Sequence, residues 1–314
     1  MKQTAFLILM LLSINTNAQT FLELYSSENS NISENDLKSI LVDKKSKNKL
    51  IGTSKSGLLK YDNVKFENIQ EIKGEYFGPL YKDKNDNIWV SSSNPEELYL
   101  IKPNNEIEKI TSKILKEIDG VIAISEDTQG NIYFGGKGLV KYDGKNWSKM
   151  KLPNNSITIR ALDLSYNNTI AIGHNSGLLI GKENNWKSYD EETDKLQLST
   201  VRAVKFLNDS KLIIGYGGGF GNGGFSVKEG EKWTHFNKSN SKISDHMVRD
   251  IEIDSNNTLW MATNNGLVKF TEKGELTSIL FREGMYKNTI LDISIDNDNV
   301  LWIATNFGVI KFKE

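Results

Sequence analysis

Arginine is scarce in this 314-residue chain, yet Arg160, Arg202 and Arg249, three of its four arginines, share one position of an internal repeat. Lys38 holds that position in another copy. A guanidinium stays charged and grips carboxylate or sulfate oxygens through paired N–H donors, so basic groups converging at one place would suit an anion. The competing use is structural: duplicated repeats could keep these residues for ion pairs between neighbours, with Asp163 or Asp250 as partners. A second set lies in short loops assigned to the same face: His174-Asn175, Asn264-Asn265, Asn306-Phe307 and the insertion Tyr216-Gly-Gly-Gly-Phe-Gly-Asn222. Tyr216, Phe220 and Phe307, beside amides such as Asn222, could stack on sugar rings, although a glycine-rich insertion can equally serve no ligand.

Other chemistries find less support. The three histidines, His174, His235 and His246, do not fall into a metal-ligand spacing, and there is no cysteine, so neither a metal nor another cofactor is expected. Gly219, Gly221 and Gly224 spell a literal Gly-x-Gly-x-x-Gly, but Phe225-Ser-Val227 reads as a strand where a nucleotide fingerprint needs a helix. Asp296-Asn-Asp298-Asn resembles half a calcium loop without its sixth-position glycine or distal glutamate, and reads as a hairpin turn. No local catalytic motif is present.

The elements that must position these residues come from the repeat. Asp254-Ser-Asn-Asn-Thr-Leu-Trp260-Met-Ala-Thr-Asn-Asn-Gly266-Leu-Val-Lys-Phe270 is echoed 42 residues later by Asp296-Asn-Asp-Asn-Val-Leu-Trp302-Ile-Ala-Thr-Asn-Phe-Gly308-Val-Ile-Lys-Phe312. Sliding the pattern backwards places Ile213, Ala171, Tyr133, Trp89 and Leu50 at the tryptophan position, at spacings of 47, 42, 38, 44 and 39 residues. Each of the seven copies alternates with period two and reads as four short strands. An apolar entry strand is followed by the tryptophan strand, a Gly-Leu-x-Lys-Tyr/Phe strand and an outer strand carrying Phe66, Trp147, Trp186 or Trp233. Trp89, Trp260 and Trp302 read as core, and replacing one with alanine should cost about 3–5 kcal/mol. The aspartates before the tryptophan strand suit a tight turn. Gly57, Gly138, Gly177, Gly266 and Gly308 suit a positive φ in the next hairpin.

Sheets of this kind are apolar on both faces and must stack on neighbours, and seven can close into a ring. The sequence therefore predicts an all-β seven-bladed β-propeller of four-stranded antiparallel blades, spanning residues 19–314 as one domain. The last copy reaches Glu314 after its third strand. Leu22-Glu-Leu-Tyr25 through Asn29-Ser-Asn-Ile32-Ser33 to Leu37 and Ile40 aligns without gaps on Trp233 to Phe236, Asn240-Ser-Lys-Ile243-Ser244, Val248 and Ile251. The N-terminal strand is thus expected to complete the last blade. The basic position then falls at the start of the innermost strand, at the rim of the central channel.

Asp254 to Phe270 and Asp296 to Phe312 resemble the two-component regulator propeller repeat, whose pattern runs Asp-x-x-Gly-x-Leu-Trp-Ile-Gly-Thr-x-x-Gly-Leu-x-x-Tyr. The resemblance extends to Ile51-Gly-Thr53, Asp127-Thr-Gln-Gly130-Asn-Ile-Tyr133 and Gly138-Leu-Val-Lys-Tyr142-Asp-Gly144, and is weaker in the second, fourth and fifth copies. It implies an extracytoplasmic sensing propeller, here without a kinase or membrane helix in the chain, so that a separate sensor kinase or an envelope complex would be its partner.

Residues 1–18 read as a secretory signal: Lys2, the apolar run Ala5 to Ile14, and a small residue at Ala18. Without a cysteine it cannot be a lipoprotein signal, and a periplasmic or secreted protein is expected. Basic and acidic residues nearly balance, 39 against 40, with no lysine-rich tail, which argues against nucleic acid, and no later stretch is apolar enough to span a membrane. These readings lead to a non-catalytic binding module that presents one face to a glycan or protein. The rival is a polysaccharide lyase or hydrolase using His174 or channel-facing carboxylates.

Overall fold

A computed structural model describes residues 21–314 apart from 112, 155–156, 184, 193–195, 218–222 and 282–287. The expected leader, Phe220 and Asn222 therefore lie outside the described residues. The chain forms seven four-stranded antiparallel sheets, each starting at the centre and meandering outwards. The innermost strands are Leu37–Val42, Glu75–Lys82, Ala123–Glu126, Ile159–Leu164, Val201–Asn208, Val248–Ile253 and Ile290–Ile295. Each touches the innermost strands of the two flanking sheets, and Leu37–Val42 touches Ile290–Ile295, so the circle is closed. This is the expected seven-bladed β-propeller; among the described residues its helical content is one turn, Lys113–Lys116. Blades are numbered 1 to 7 in the order of these innermost strands.

The ring has no single core. Seven clusters of buried apolar side chains are present among the described residues, and each spans two neighbouring blades. That follows from strands whose alternate residues are apolar on both faces, so that a blade without a neighbour leaves half its apolar surface wet. Leu50, Ala171, Ile213, Trp260 and Trp302 all stand opposite the fifth residue of their innermost strand, and Trp89 and Tyr133 stand opposite Tyr81 and Ser125, the second-last residues of theirs.

In four blades an aspartate six residues before the aromatic ties the motif together. Asp254 Oδ1 accepts the amides of Asn256 and Thr258 at 2.8 and 3.0 Å, while its Oδ2 accepts Trp260 Nε1 at 3.0 Å. Asp83 does the same for Trp89 at 3.0 Å, Asp296 for Trp302 at 3.3 Å, and Asp127 for the Tyr133 hydroxyl at 3.1 Å. One carboxylate therefore shapes the turn and satisfies the polar atom of a ring buried in the core. Asp296 is engaged in the same way, which makes its segment a turn.

Closure is made by Phe21–Tyr25, which pairs antiparallel with Gly308–Lys313 as the outer strand of blade 7. The loop that follows copies the one after Lys232–Phe236. Asn29 Oδ1 accepts the Ser26 amide at 2.8 Å as Asn240 Oδ1 accepts that of Asn237 at 2.8 Å. The Ser30 and Ser241 hydroxyls donate to the Ser26 and Asn237 carbonyls at 2.7 and 2.6 Å. Gly308 has φ 129° and lies so close to the outer strand that a Cβ would stand 2.2 Å from the Tyr25 carbonyl oxygen. Only glycine fits that seam.

Asp254→Ala should lower unfolding stability by about 2–3 kcal/mol, because it strands a buried indole N–H and two turn amides. The denaturant midpoint measures it; a loss under about 0.5 kcal/mol would mean the carboxylate is not the tie described.

Candidate functional site

The innermost strands of blades 1, 4, 5, 6 and 7 share a register shift between their first and third residues. The extra residue in each is Lys38, Arg160, Arg202, Arg249 and Leu291. A β-bulge leaves its extra residue out of the ladder and re-aims its side chain. Here it sends four basic groups into the wall of one channel of about 960 Å3, which all four line.

Their partners differ in an informative way. Arg160 Nε donates to Asn175 Oδ1 at 2.8 Å, and Arg249 Nε donates to Asn264 Oδ1 at 2.9 Å. Each asparagine follows the second strand of its own blade, fifteen residues after its arginine. In blade 5 that place is Gly217, and Arg202 packs directly over it: a Cβ at Gly217 would stand 2.1 Å from Arg202 Cδ. That acceptor is therefore missing, and Arg202 Nε is buried with no hydrogen-bond partner among the described residues. Burial lowers the Arg202 pKa and repulsion from Arg160 lowers it further; burial and then Arg202 do the same to Arg249, against a weaker pull from Asp245. The guanidinium groups thus sense one another. Among the described residues none of the three arginines forms an ion pair, whereas Lys38 is paired with Asp36 at 2.9 Å.

Asp163 and Asp250, the partners expected for a purely structural role, hold backbone instead. Asp163 Oδ2 accepts the Phe206 amide at 2.7 Å, Asp250 Oδ2 that of Ile293 at 3.1 Å, and Asp292 Oδ2 that of Ile40 at 2.7 Å. Each bond crosses from one innermost strand to the next. The cation among these carboxylates is Lys205, bonded to Glu252 at 3.2 Å. Burial disfavours its charge, but Glu252, Asp163 and Asp250 together outweigh that and raise its pKa. Asp250 and Asp292 hydrogen-bond to each other, and burial followed by the neighbouring negative charge raises both pKa values, that of Asp292 most. The ring encloses these groups while they face the channel, and both effects favour the protonated form of the pair.

The remaining expected residues are dispersed. His174 is buried, takes the Ser176 amide on Nδ1 at 3.2 Å, and burial pushes its imidazole down to about 4. It occupies the hairpin-capping place that Thr263 and Thr305 fill in blades 6 and 7, where their hydroxyls donate to the Gly266 and Gly308 carbonyls at 2.7 Å. Tyr216 corrects the expectation of a sugar-stacking ring. It is fully buried inside blade 5, with its hydroxyl 2.9 Å from Ser226 Oγ, because the repeat puts that residue at the same capping place. Phe307 is half-buried against the cluster between blades 6 and 7. Gly217 and the exposed Tyr76 were not singled out by the sequence; alignment with Asn175 and Asn264 would have found Gly217.

No protein-family profile and no curated protein matches this sequence. Solved structures do. The ring is similar to virginiamycin B lyase of Staphylococcus aureus, with a TM-score of 0.76 and 15% identity over 94% of this chain and 100% of that one. It is also similar to the extracellular domain of BT4673, a B. thetaiotaomicron protein assigned to the hybrid two-component systems, with a TM-score of 0.70 and 16% identity over 94% of this chain and 39% of that one. A third likeness is to PorZ, an essential surface component of the type-IX secretion system of Porphyromonas gingivalis, with a TM-score of 0.66 and 16% identity over 90% of this chain and 47% of that one. At such identities the likeness establishes the fold. Two of these three are extracellular or surface proteins.

Asp292→Asn should make stability less dependent on pH. The folded pair retains a proton that unfolded aspartates release near pH 4, so native stability falls, by up to about 1.4 kcal/mol per pH unit, as pH rises towards the pair's raised value. Asparagine supplies the donor to Asp250 at every pH while still accepting from Ile40. Urea midpoints between pH 5 and 9 should slope downwards for the native chain relative to the variant. Parallel profiles would contradict the raised pKa values.

Proposed function

We propose that this chain is a non-catalytic, exported binding module that takes an anionic ligand, glycan or protein, at the basic mouth of its channel. The observation that carries this reading is the arginine cluster, which has no ion pair among the described residues, with Arg202 Nε buried and without an acceptor among them. Like charges held together and partly withdrawn from water weaken the free fold, and an anion bridging them relieves both penalties. Arginine is suited to the task, since its planar donors meet a carboxylate or sulfate in pairs. Residues 1–18 would be the export signal and the remainder one domain.

The enzyme reading has weaker support. Asp163, Asp250 and Asp292 already accept backbone amides from the next blade, Glu252 is paired with Lys205, and His174 is a buried hairpin cap whose Nδ1 is committed to Ser176 and whose Nε2 is enclosed away from solvent. General acid–base chemistry needs a group free to exchange a proton with the substrate. Similarity to a lyase fold carries no chemistry by itself. No helix among the described residues is long and apolar enough to cross a membrane. A separate sensor kinase or envelope complex is the proposed partner.

A thermal-shift panel of acidic, sulfated and neutral oligosaccharides against the native chain tests the reading, because a ligand specific for the folded state raises Tm. An acidic compound should raise Tm by several degrees, and Arg202→Ala combined with Arg249→Ala should abolish the shift while leaving the unliganded Tm equal or higher. A shift that survives the double substitution would remove the arginine mouth as the site.

A further inference from the structure

Tyr76 stands where the chain enters the innermost strand of blade 2, on the same face as the basic mouth. It is 47% exposed, whereas the adjacent Phe77 is 1% exposed. Its φ is +51°, a left-handed conformation that crowds a side chain's Cβ and that bulky aromatic residues seldom adopt. The turn does not need the ring: the Tyr76 amide donates to the Ser54 carbonyl of blade 1 at 2.9 Å, which anchors the backbone whatever the side chain is. Asparagine tolerates this conformation better. A strained, exposed aromatic at a place where packing asks for none points to a role outside the fold. Its neighbour on the channel side is Lys38, whose Nζ lies 6.0 Å from the ring centroid, and Lys38 lines the channel with the three arginines.

We infer that the ligand of the basic mouth is an acidic oligosaccharide, with one sugar ring lying on the exposed face of Tyr76 and its carboxylates reaching the guanidinium groups across the channel. This rests on the anion-binding reading of that mouth. A pyranose offers a face of C–H groups that suits the electron-rich face of an aromatic ring, and a uronate carries the planar carboxylate that arginine binds in pairs. Tyr76 belongs to blade 2 and the arginines to blades 4 to 6, so the ligand must span more than one sugar unit. An acidic protein segment fits less well. Of the large apolar residues exposed among the described residues, Tyr76 and Leu280 stand on this face, in separate blade connections, and two isolated residues do not make the apolar centre of a protein interface.

Calorimetric titration of the full chain with trigalacturonate and with tri-glutamate, which carries a comparable negative charge on a peptide, tests the inference. The native chain should bind trigalacturonate more tightly. Tyr76→Asn, which suits the left-handed backbone, should weaken trigalacturonate by about tenfold, leave tri-glutamate unchanged, and keep an equal or higher Tm. Equal affinities for the two ligands in both proteins would overturn the sugar assignment while leaving the anion site standing, and would point to an acidic protein segment. Binding of neither ligand would overturn both. A lower Tm in Tyr76→Asn would assign the tyrosine to stability and overturn its role as a platform.

Discussion

A four-stranded sheet with apolar side chains on both faces is stable only between two others, and that constraint shapes the whole molecule. Because each cluster of the core belongs to two blades, a missing neighbour exposes a full apolar face, and the series is satisfied only when the seventh blade meets the first. The chain meets the condition by lending Phe21–Tyr25 to blade 7, and Tyr25 then packs on the cluster that holds Trp302, Tyr61 and Phe66. The closed ring fixes the distances among innermost strands, and with them the channel.

The channel is where the repeat stops being uniform. Its middle layer is bound tightly: carboxylates accept amides from the next strand, Lys205 answers Glu252, and burial raises the pKa values of the adjoining Asp250 and Asp292. Its mouth is different. The bulge that ends pairing in five blades leaves one residue free of the ladder, and basic residues fill it in four of them. Blades 4 and 6 answer the arginine with an asparagine, and blade 5 has Gly217 in its place. The middle layer therefore supports the ring, and the mouth holds three arginines that no carboxylate among the described residues pairs.

The architecture was legible because it is written as periodicity. The aspartate, the aromatic six residues on and the positive-φ glycine recur, so even Leu50, Ala171 and Ile213 could be placed at the tryptophan position without a tryptophan. The N-terminal strand was legible because its exit loop keeps the asparagine, serine and isoleucine of the loop after Phe236. The convergence of the arginines followed from that register. Their state of charge did not, since Asp163 and Asp250 looked like ion-pair partners until the bonds crossing to Phe206 and Ile293 were seen. Tyr216 was misread because its type, tyrosine in a loop-like glycine context, was weighed above its register, which makes it a hairpin cap. Tyr76 left no mark in the sequence, because left-handed backbone at a non-glycine residue and exposure beside Lys38 arise only from the assembled ring.

The central claim is that the arginines of the mouth stay without a counter-charge, and Arg202 Nε without an acceptor, until an anion arrives. With four arginines in the chain, their Nε–H groups can be resolved and assigned individually by 15N-correlated NMR. Without ligand, the Arg202 Nε–H should lack the hydrogen-bonded shift shown by those of Arg160 and Arg249. On adding trigalacturonate it should move downfield and resist exchange with water. An Arg202 signal already bonded in the free protein, or one that ignores every anion offered, would contradict the account.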